Sequence, residues 1–234
     1  MATNINRVYQ KVLAIANKEQ RGYITPQEFN LFADKAQMEI YNNYFHGIKM
    51  SDRKPKNQMD YSDELEMIEE KLHPFYVDEE VTLSTSQTPN LTLPINMHKL
   101  INITLNGNEV TQVNKHEIAY TQSHPLLKAS TTRSVFVRED NNIVTIHPAP
   151  TTTTTFEVSF YKRPATPNWT YVVVSGKALY NGSASDAQDF ELHASEEENL
   201  VNRILMLAGV TIKQPDVYQA GMADIQLTKQ QQNS

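Results

Sequence analysis

The sequence predicts an α+β protein, with helices at both ends of the chain and a small antiparallel β-sandwich or barrel between them. Three observations predict this class. Apolar residues near both termini recur at three- and four-residue spacing, which is typical of amphipathic helices. Short runs rich in β-branched residues, separated by turn formers, occupy the middle of the chain and favour antiparallel strands. The two kinds of element are segregated along the chain and do not alternate.

Residues 1–73 are predicted to be helical and to end in a charged linker. A first helix carries an apolar stripe formed by Ile5, Val8, Val12 and Ile15. A second helix begins after Thr25, because Thr25-Pro26-Gln27-Glu28 has the spacing of a capping box with proline at the first helical position. Its apolar face includes Phe29, Phe32, Ala33, Ala36, Ile40 and Tyr44, and we expect it to end near Gly47.

The linker changes from a basic to an acidic composition between residues 49 and 70. Within its acidic part, Leu65, Ile68 and Leu72 have the spacing of a short third helix. Such charge segregation is typical either of a solvated linker or of a loop that meets a partner of opposite charge.

Residues 74–182 are predicted to form the antiparallel β region. Seven or eight short strands are expected, and turn-forming sequences separate several of them. The turns are predicted at Asn106-Gly107-Asn108, Asp140-Asn141-Asn142 and Ser175-Gly176.

Residues 183–234 are predicted to return to helix and to end in a polar tail. One helix is expected over about 186–208, ended by Gly209. A final helical stretch after Pro215 places Tyr218, Met222 and Ile225 on one side. We expect the helical segments of the two chain ends to pack together as one module.

Composition excludes several classes of protein. The chain has 234 residues, no cysteine and a formal net charge of −6. Disulfide frameworks, thiolate zinc sites and cysteine nucleophiles are therefore excluded. The acidic balance argues against dedicated nucleic-acid binding, which normally requires a basic surface. We find neither a signal-peptide pattern nor about 18 consecutive apolar residues, and we expect a soluble protein made in a cytoplasm.

No motif predicts a catalytic, cofactor-binding or metal site. Residues 17–28 copy the spacing of a calcium loop, but Arg21 stands where a ligand oxygen belongs, so a helix–turn–helix explains the pattern better. His193 and Glu196 have the spacing of a metal-binding pair on a helix, yet no second pair accompanies them. We therefore predict that the protein is not an enzyme.

The aromatic residues around positions 162–164 allow two interpretations. Tyr161, Trp169 and Tyr171 are predicted either to pack against the core at a strand end or to form a platform for a carbohydrate or nucleic acid. Core packing is the more common arrangement for such residues.

Several segments resemble a family of phage virion proteins found among crAss-like and marine podophages. They cover both ends and part of the middle of the chain: NRVYQKV (6–12), RGYITP (21–26), FNLFA (29–33), FYKRPATPNW (160–169), FEL (190–192), SEE (195–197), LAGV (207–210), KQPD (213–216) and the glutamine-rich end. The order of helices, strands and helices is also similar to that of podophage tail tubular proteins and other head-to-tail adaptors.

The resemblance implies a structural subunit of the head-to-tail connector in the neck of a tailed bacteriophage. It implies a cyclic ring, usually of twelve subunits, that docks on the portal protein and contacts other neck or tail proteins. DNA passes through the lumen of such a ring without sequence-specific binding. The implied location is the virion, after assembly in the host cytoplasm and without membrane contact, and no cofactor is implied.

Two alternatives remain open from the sequence. One is a receptor- or carbohydrate-binding β-module of the virion. The other is a hydrolase, although no pattern of catalytic residues supports it. For the adaptor, we expect Tyr218, Met222, Ile225 and Leu227 to anchor the polar C-terminal tail on the portal. Deletion from Lys213 onward is then expected to weaken portal binding.

Overall fold

The computed structural model describes residues 2–18, 24–51, 60–84 and 89–211, together with positions 223, 226, 227 and 230. It confirms the α+β class, with N-terminal helices, central antiparallel sheets and a C-terminal helix. Two compact units divide the chain. The helical unit consists of Met1–Pro74 and Pro164–Ser234, and the β unit is Phe75–Arg163. The β unit is thus an insertion in the chain of the helical unit.

The helices and strands of the described residues have the following bounds. The helices are α1 (Ile5–Lys18), α2 (Pro26–Ser51), α3 (Asp60–Leu72), α4 (Ile118–Ser123) and α5 (Glu197–Thr211), with 3₁₀ turns at His73–Phe75 and Ala194–Glu196. The strands are β1 (Tyr76–Leu83), β2 (Asn90–Thr92), β3 (Met97–Leu105), β4 (Asn108–Glu109), β5 (Thr111–Gln112), β6 (Val135–Arg138), β7 (Ile143–His147), β8 (Thr154–Lys162), β9 (Tyr171–Val174) and β10 (Lys177–Tyr180).

The core of the helical unit lies between α1, α2 and α5. On α1 the predicted stripe is buried at Ile5, Val8 and Val12, whereas Ile15 is largely exposed and does not belong to it. The apolar face of α2 contributes Phe29, Ala33, Ala36 and Ile40, and α5 contributes Leu200, Val201 and Ile204. Residues of both chain ends therefore share one core.

The start of α2 confirms the predicted capping box. The backbone N–H of Thr25 donates to Glu28 Oε2 at 2.9 Å, and the backbone N–H of Glu28 donates to Thr25 Oγ1 at 3.3 Å. These reciprocal bonds satisfy two donors that the helix itself leaves unpaired. The predicted end at Gly47 is wrong, because α2 continues to Ser51. A Cβ atom at Gly47 would lie 2.9 Å from Ile68 Cδ1, so glycine here allows close approach of α3.

The predicted helix over 186–208 begins later than expected. Residues 186–193 are not helical, and α5 runs from Glu197 to Thr211 without ending at Gly209. Phe190 and Leu192 are both fully buried, and their two-residue spacing is that of an extended segment. Two acidic side chains also hold this segment in place: Asp189 Oδ1 accepts the Ile5 N–H at 2.8 Å, and Glu191 Oε2 accepts the Ala165 N–H at 3.0 Å.

The β unit contains two four-stranded sheets, with the orders β1-β8-β3-β4 and β2-β7-β6-β5. All pairs are antiparallel except the short β5–β6 pair. Side chains from both sheets form one apolar cluster, which makes the unit a small sandwich. Its fully buried members include Ile103, Val144, Phe156, Val158 and Phe160.

The predicted turn after β3 is confirmed. Asn106 and Gly107 adopt positive φ angles of 51° and 78°, as a two-residue hairpin turn between β3 and β4 requires. Ser175 and Gly176 adopt similar angles of 52° and 78° between β9 and β10. The short helix α4 has no counterpart in the predicted elements.

The unit boundaries differ from those expected for the β region. The sequence predicts one β region over 74–182, whereas the compact β unit ends at Arg163. The hairpin formed by β9 and β10 is grouped with the helical unit and makes its own two-stranded sheet. No helix in the described part of the chain is both long and apolar enough to cross a membrane.

Candidate interaction surface

The predicted C-terminal anchors fall mostly outside the described residues. This applies to Tyr218, Met222 and Ile225. Leu227 is described, and its side chain is 56% exposed. The role of the four anchors therefore stays a prediction.

The two sequence patterns that resemble metal sites contribute side chains that cap local helical structure. In the calcium-like segment, residues 19–23 lie outside the described residues, and Glu28 at its last position caps α2 through Thr25. His193 caps the 3₁₀ turn, because its Nδ1 accepts the Ser195 N–H at 3.3 Å. Within the described ranges, no group of three or more histidine or acidic side chains is arranged to hold a metal.

Trp169 is a core residue of the helical unit. Its side chain is 3% exposed, and its Nε1 donates to Asn6 Oδ1 on α1 at 3.1 Å. Its backbone N–H donates to Asn30 Oδ1 on α2 at 2.9 Å. The Tyr9 ring packs against the indole with centroids 4.3 Å apart. Because the indole faces are covered, Trp169 is not available as a platform for a planar ligand.

The β9–β10 hairpin is the most apolar exposed element of the helical unit among the described residues. Val172 and Val174 are each 50% exposed, Val173 is 62% exposed and Leu179 is 53% exposed. Val172 pairs with Leu179 on one face of the hairpin, and Val173 pairs with Ala178 on the other. Apolar side chains therefore reach solvent on both faces of a two-stranded sheet.

The root of the hairpin is fixed to the core of the helical unit. Tyr171 and Tyr180, which pair with each other, both stack near Trp169, with ring centroids 5.8 Å and 5.6 Å from the indole. Next to them, the Asn181 N–H donates to the Thr170 carbonyl at 2.9 Å, and the Thr170 hydroxyl donates to the Asn181 carbonyl. The exposed valines thus project from a base that is packed and hydrogen-bonded.

The long edge strand of the first sheet carries a feature that opposes pairing with another chain. The order of the first sheet places β1 at its edge. Glu79 is exposed and alternates with Val77 and Val81 along β1, and a charged side chain in an edge strand discourages further pairing. The β9–β10 hairpin lacks such features apart from Lys177 near its tip.

A buried ionic cluster joins the helices of the same unit. Glu196 is buried; its Oε1 pairs with Lys71 Nζ of α3 at 2.7 Å, and its Oε2 accepts from Asn199 Nδ2 at 2.8 Å. Arg203, also buried, donates to Asn199 at 3.2 Å and pairs with Glu39 of α2 at 3.2 Å. The cluster links α2, α3 and α5.

The electrostatics of Glu196 favour its ionised form. Burial opposes ionisation, but the hydrogen bonds from Lys71 and Asn199 outweigh it and hold the pKa of the carboxyl below its usual value. Both carboxylate oxygens are thus engaged by neighbouring side chains, and the charge is compensated. This arrangement stabilises the helical unit and offers no free acid or base for proton transfer.

The sequence predicts the β9–β10 hairpin as a strand pair but not its exposure. A usable signal was present: consecutive valines place apolar side chains on both faces of a strand, a pattern typical of strands buried on both sides. A hairpin of two short strands cannot by itself bury the apolar side chains on either of its two faces. Burial then has to come from elsewhere in the fold or from another molecule.

Comparisons with known proteins do not assign the chain to a family. No protein-family model matches it, and no curated protein matches it. The function is therefore inferred from the residues themselves.

Proposed function

We propose that this chain is a structural subunit of a bacteriophage head-to-tail connector, a ring docked on the portal through which DNA leaves the capsid. The observation that carries the proposal is the exposed apolar β9–β10 hairpin. Contiguous apolar surface on a protein commonly marks a site of protein–protein contact. A connector subunit needs such sites toward its neighbours in the ring and toward the portal.

The charge of the chain is compatible with a DNA passage. The net charge of −6 gives weak or unfavourable long-range attraction for phosphates. A channel lining that binds DNA tightly would retard its movement, whereas an acidic or neutral one lets it pass. In this proposal the protein lines the channel through which DNA passes and does not bind the DNA specifically.

The proposed role is one of binding, without catalysis. Glu196 is a buried carboxylate, and Lys71 and Asn199 occupy its two oxygens. A catalytic carboxylate needs access to substrate and a pKa near the working pH, whereas the pKa of Glu196 is held below its usual value. These features favour a structural role for this buried acid.

The carbohydrate-binding alternative loses its main support. It depended on an aromatic platform that included Trp169, and the indole is 3% exposed and packed against Tyr9. Sugar-binding aromatics present a ring face to the ligand. The described residues therefore favour assembly over glycan recognition.

Electron microscopy of the purified full chain, alone and mixed with the portal protein of the phage that encodes it, tests the proposal. We expect closed rings, or added density on the tail side of the portal. Particles that stay monomeric and leave the portal unchanged would contradict it. The Leu126→Ser variant, which changes an 83% exposed residue of the β unit, is expected to assemble like the wild type.

The C-terminal tail is the second proposed contact with the portal. A chain that ends before Lys213 lacks all four expected anchors, Tyr218, Met222, Ile225 and Leu227. We expect such a chain to fold, because the described core ends with α5, but to bind the portal more weakly. Unchanged portal binding would assign that contact to another part of the molecule.

A further inference from the structure

We infer that the β9–β10 hairpin binds a second copy of this chain by edge pairing, with β10 of one copy antiparallel to β9 of the next. This inference rests on the proposed function and adds the element and the geometry of the contact between copies. The proposed function and this inference both depend on the exposed hairpin, but the strand pairing between copies is tested by a separate experiment.

Both edges of the hairpin are open among the described residues. β9 and β10 pair only with each other, in a two-stranded sheet. In a strand, alternate residues direct their backbone N–H and C=O groups to either side, so each outer edge presents unpaired donors and acceptors. One edge belongs to β9 and the other to β10, so one copy offers two different and complementary edges.

The charge of the hairpin does not oppose its pairing with a second copy. Residues 171–180 contain no acidic side chain and one basic side chain, Lys177. A continued antiparallel sheet would separate equivalent Lys177 residues by two strand spacings, roughly 10 Å, where salt screens their repulsion. The valines and Leu179 would meet apolar neighbours across each new strand pair. The β1 edge is a poorer partner, because it carries the charged side chain of Glu79.

The area buried by one hairpin edge is too small to hold two copies together stably, so assembly requires more than two copies. A four-residue strand is roughly 13 Å long, and pairing along one such edge buries far less than the ~800 Å² per partner of a stable complex. A copy that uses both edges, with two neighbours, doubles the contact. Since β9 meets β10, the contact is head-to-tail, and it closes on itself only in a ring. The expected free protein therefore associates weakly and in a concentration-dependent way.

Single-cysteine variants test the pairing directly, because the natural chain has no cysteine. Val172 and Leu179 are partners within one hairpin, so the two substitutions are placed in separate chains. Val172→Cys and Leu179→Cys proteins are mixed at high concentration, alone and with portal, and oxidised mildly. A sheet that continues the register of the hairpin places Val172 of one copy opposite Leu179 of the next, and opposed Cα atoms in neighbouring antiparallel strands lie close enough for a disulfide. Trypsin cleaves after Lys177 and so releases the two cysteines in different peptides for mass spectrometry.

The inference predicts disulfides that join position 172 of the Val172→Cys chain to position 179 of the Leu179→Cys chain, at least about tenfold above either homodimer. The control mixes Val172→Cys with Leu126→Cys, whose position is exposed but lies in the β unit, and should give only background. Homodimers in excess would replace head-to-tail pairing with a twofold contact and overturn the inference. Rings without hairpin disulfides would overturn it and leave the proposed function standing. Absence of both rings and disulfides would overturn both.

Discussion

The ring of Tyr180 stacks on the ring of Trp169, with centroids 5.6 Å apart and planes inclined by 25°. Tyr180 ends the exposed hairpin, and Trp169 is buried between α1 and α2. This contact fixes the direction in which the hairpin leaves the helical unit. An apolar element held in this way is preorganised for binding, because little further conformational freedom is lost on contact.

The Trp169→Phe substitution is expected to lower the free energy of unfolding by about 1–3 kcal/mol. It removes the Nε1 hydrogen bond to Asn6 and part of the surface on which Tyr180 stacks. Urea denaturation monitored by circular dichroism measures the change. The control is Tyr120→Phe, because Tyr120 is largely exposed and its substitution should alter stability by less than about 0.5 kcal/mol. Equal effects of both substitutions would contradict the role of Trp169.

The Thr25→Ala substitution is expected to cost about 1 kcal/mol, since it removes the side chain that caps α2. The hydrogen bonds from the Thr25 N–H and hydroxyl to the Glu28 carboxylate also lower the pKa of Glu28. In the variant, the pKa of Glu28 should move back toward its ordinary value as the hydroxyl bond is lost. Thermal unfolding measures the first effect, and NMR titration of the carboxyl measures the second. An unchanged pKa would show that the capping box does not form in solution.

The Glu196→Gln substitution is expected to destabilise the protein by roughly 3 kcal/mol at pH 7, because it leaves the Lys71 ammonium without its buried partner. The pKa of Glu196 is lower in the folded than in the unfolded chain, whose usual value is 4.5. Its contribution is therefore present above about pH 4.5 and is lost as the pH falls through the folded pKa. The wild type and the variant should converge in stability in acid.

Denaturant titrations from pH 7 to pH 3 test this dependence. Glu66→Gln, on the exposed side of α3, serves as the matched control and should follow the wild type throughout. A difference between Glu196→Gln and the wild type that stays constant down to pH 3 would show that the ionised carboxyl does not carry the effect.

The features that the sequence predicted well depend on neighbouring residues. The capping box of Thr25 and Glu28, and the turn at Asn106 and Gly107, require only local backbone geometry. Both the capping box and the turn can therefore be predicted from a short sequence segment. The α+β class follows for the same reason, because each period of apolar residues reflects one local element.

The features that the sequence did not predict depend on contacts between distant segments. Residues 186–193 stay extended because Asp189 and Glu191 bond to the backbone at Ile5 and Ala165. The exposure of the β9–β10 hairpin likewise depends on which other elements reach it. The consecutive valines indicate apolar side chains on both faces, but only the fold shows that these side chains remain half exposed or more.

Assembly through the β9–β10 hairpin is the feature on which the proposed connector role depends most. Its most direct test compares particle masses of the wild type and of the Val172→Ser, Val173→Ser, Leu179→Ser triple variant, each alone over a concentration series and with portal. These side chains are half exposed or more, so the variant should remain folded, which circular dichroism verifies. We predict that the wild type forms rings, alone or on the portal, and that the variant forms none, although single variant chains still bind the portal through the C-terminal tail. A folded variant that assembles as well as the wild type would contradict this role for the hairpin.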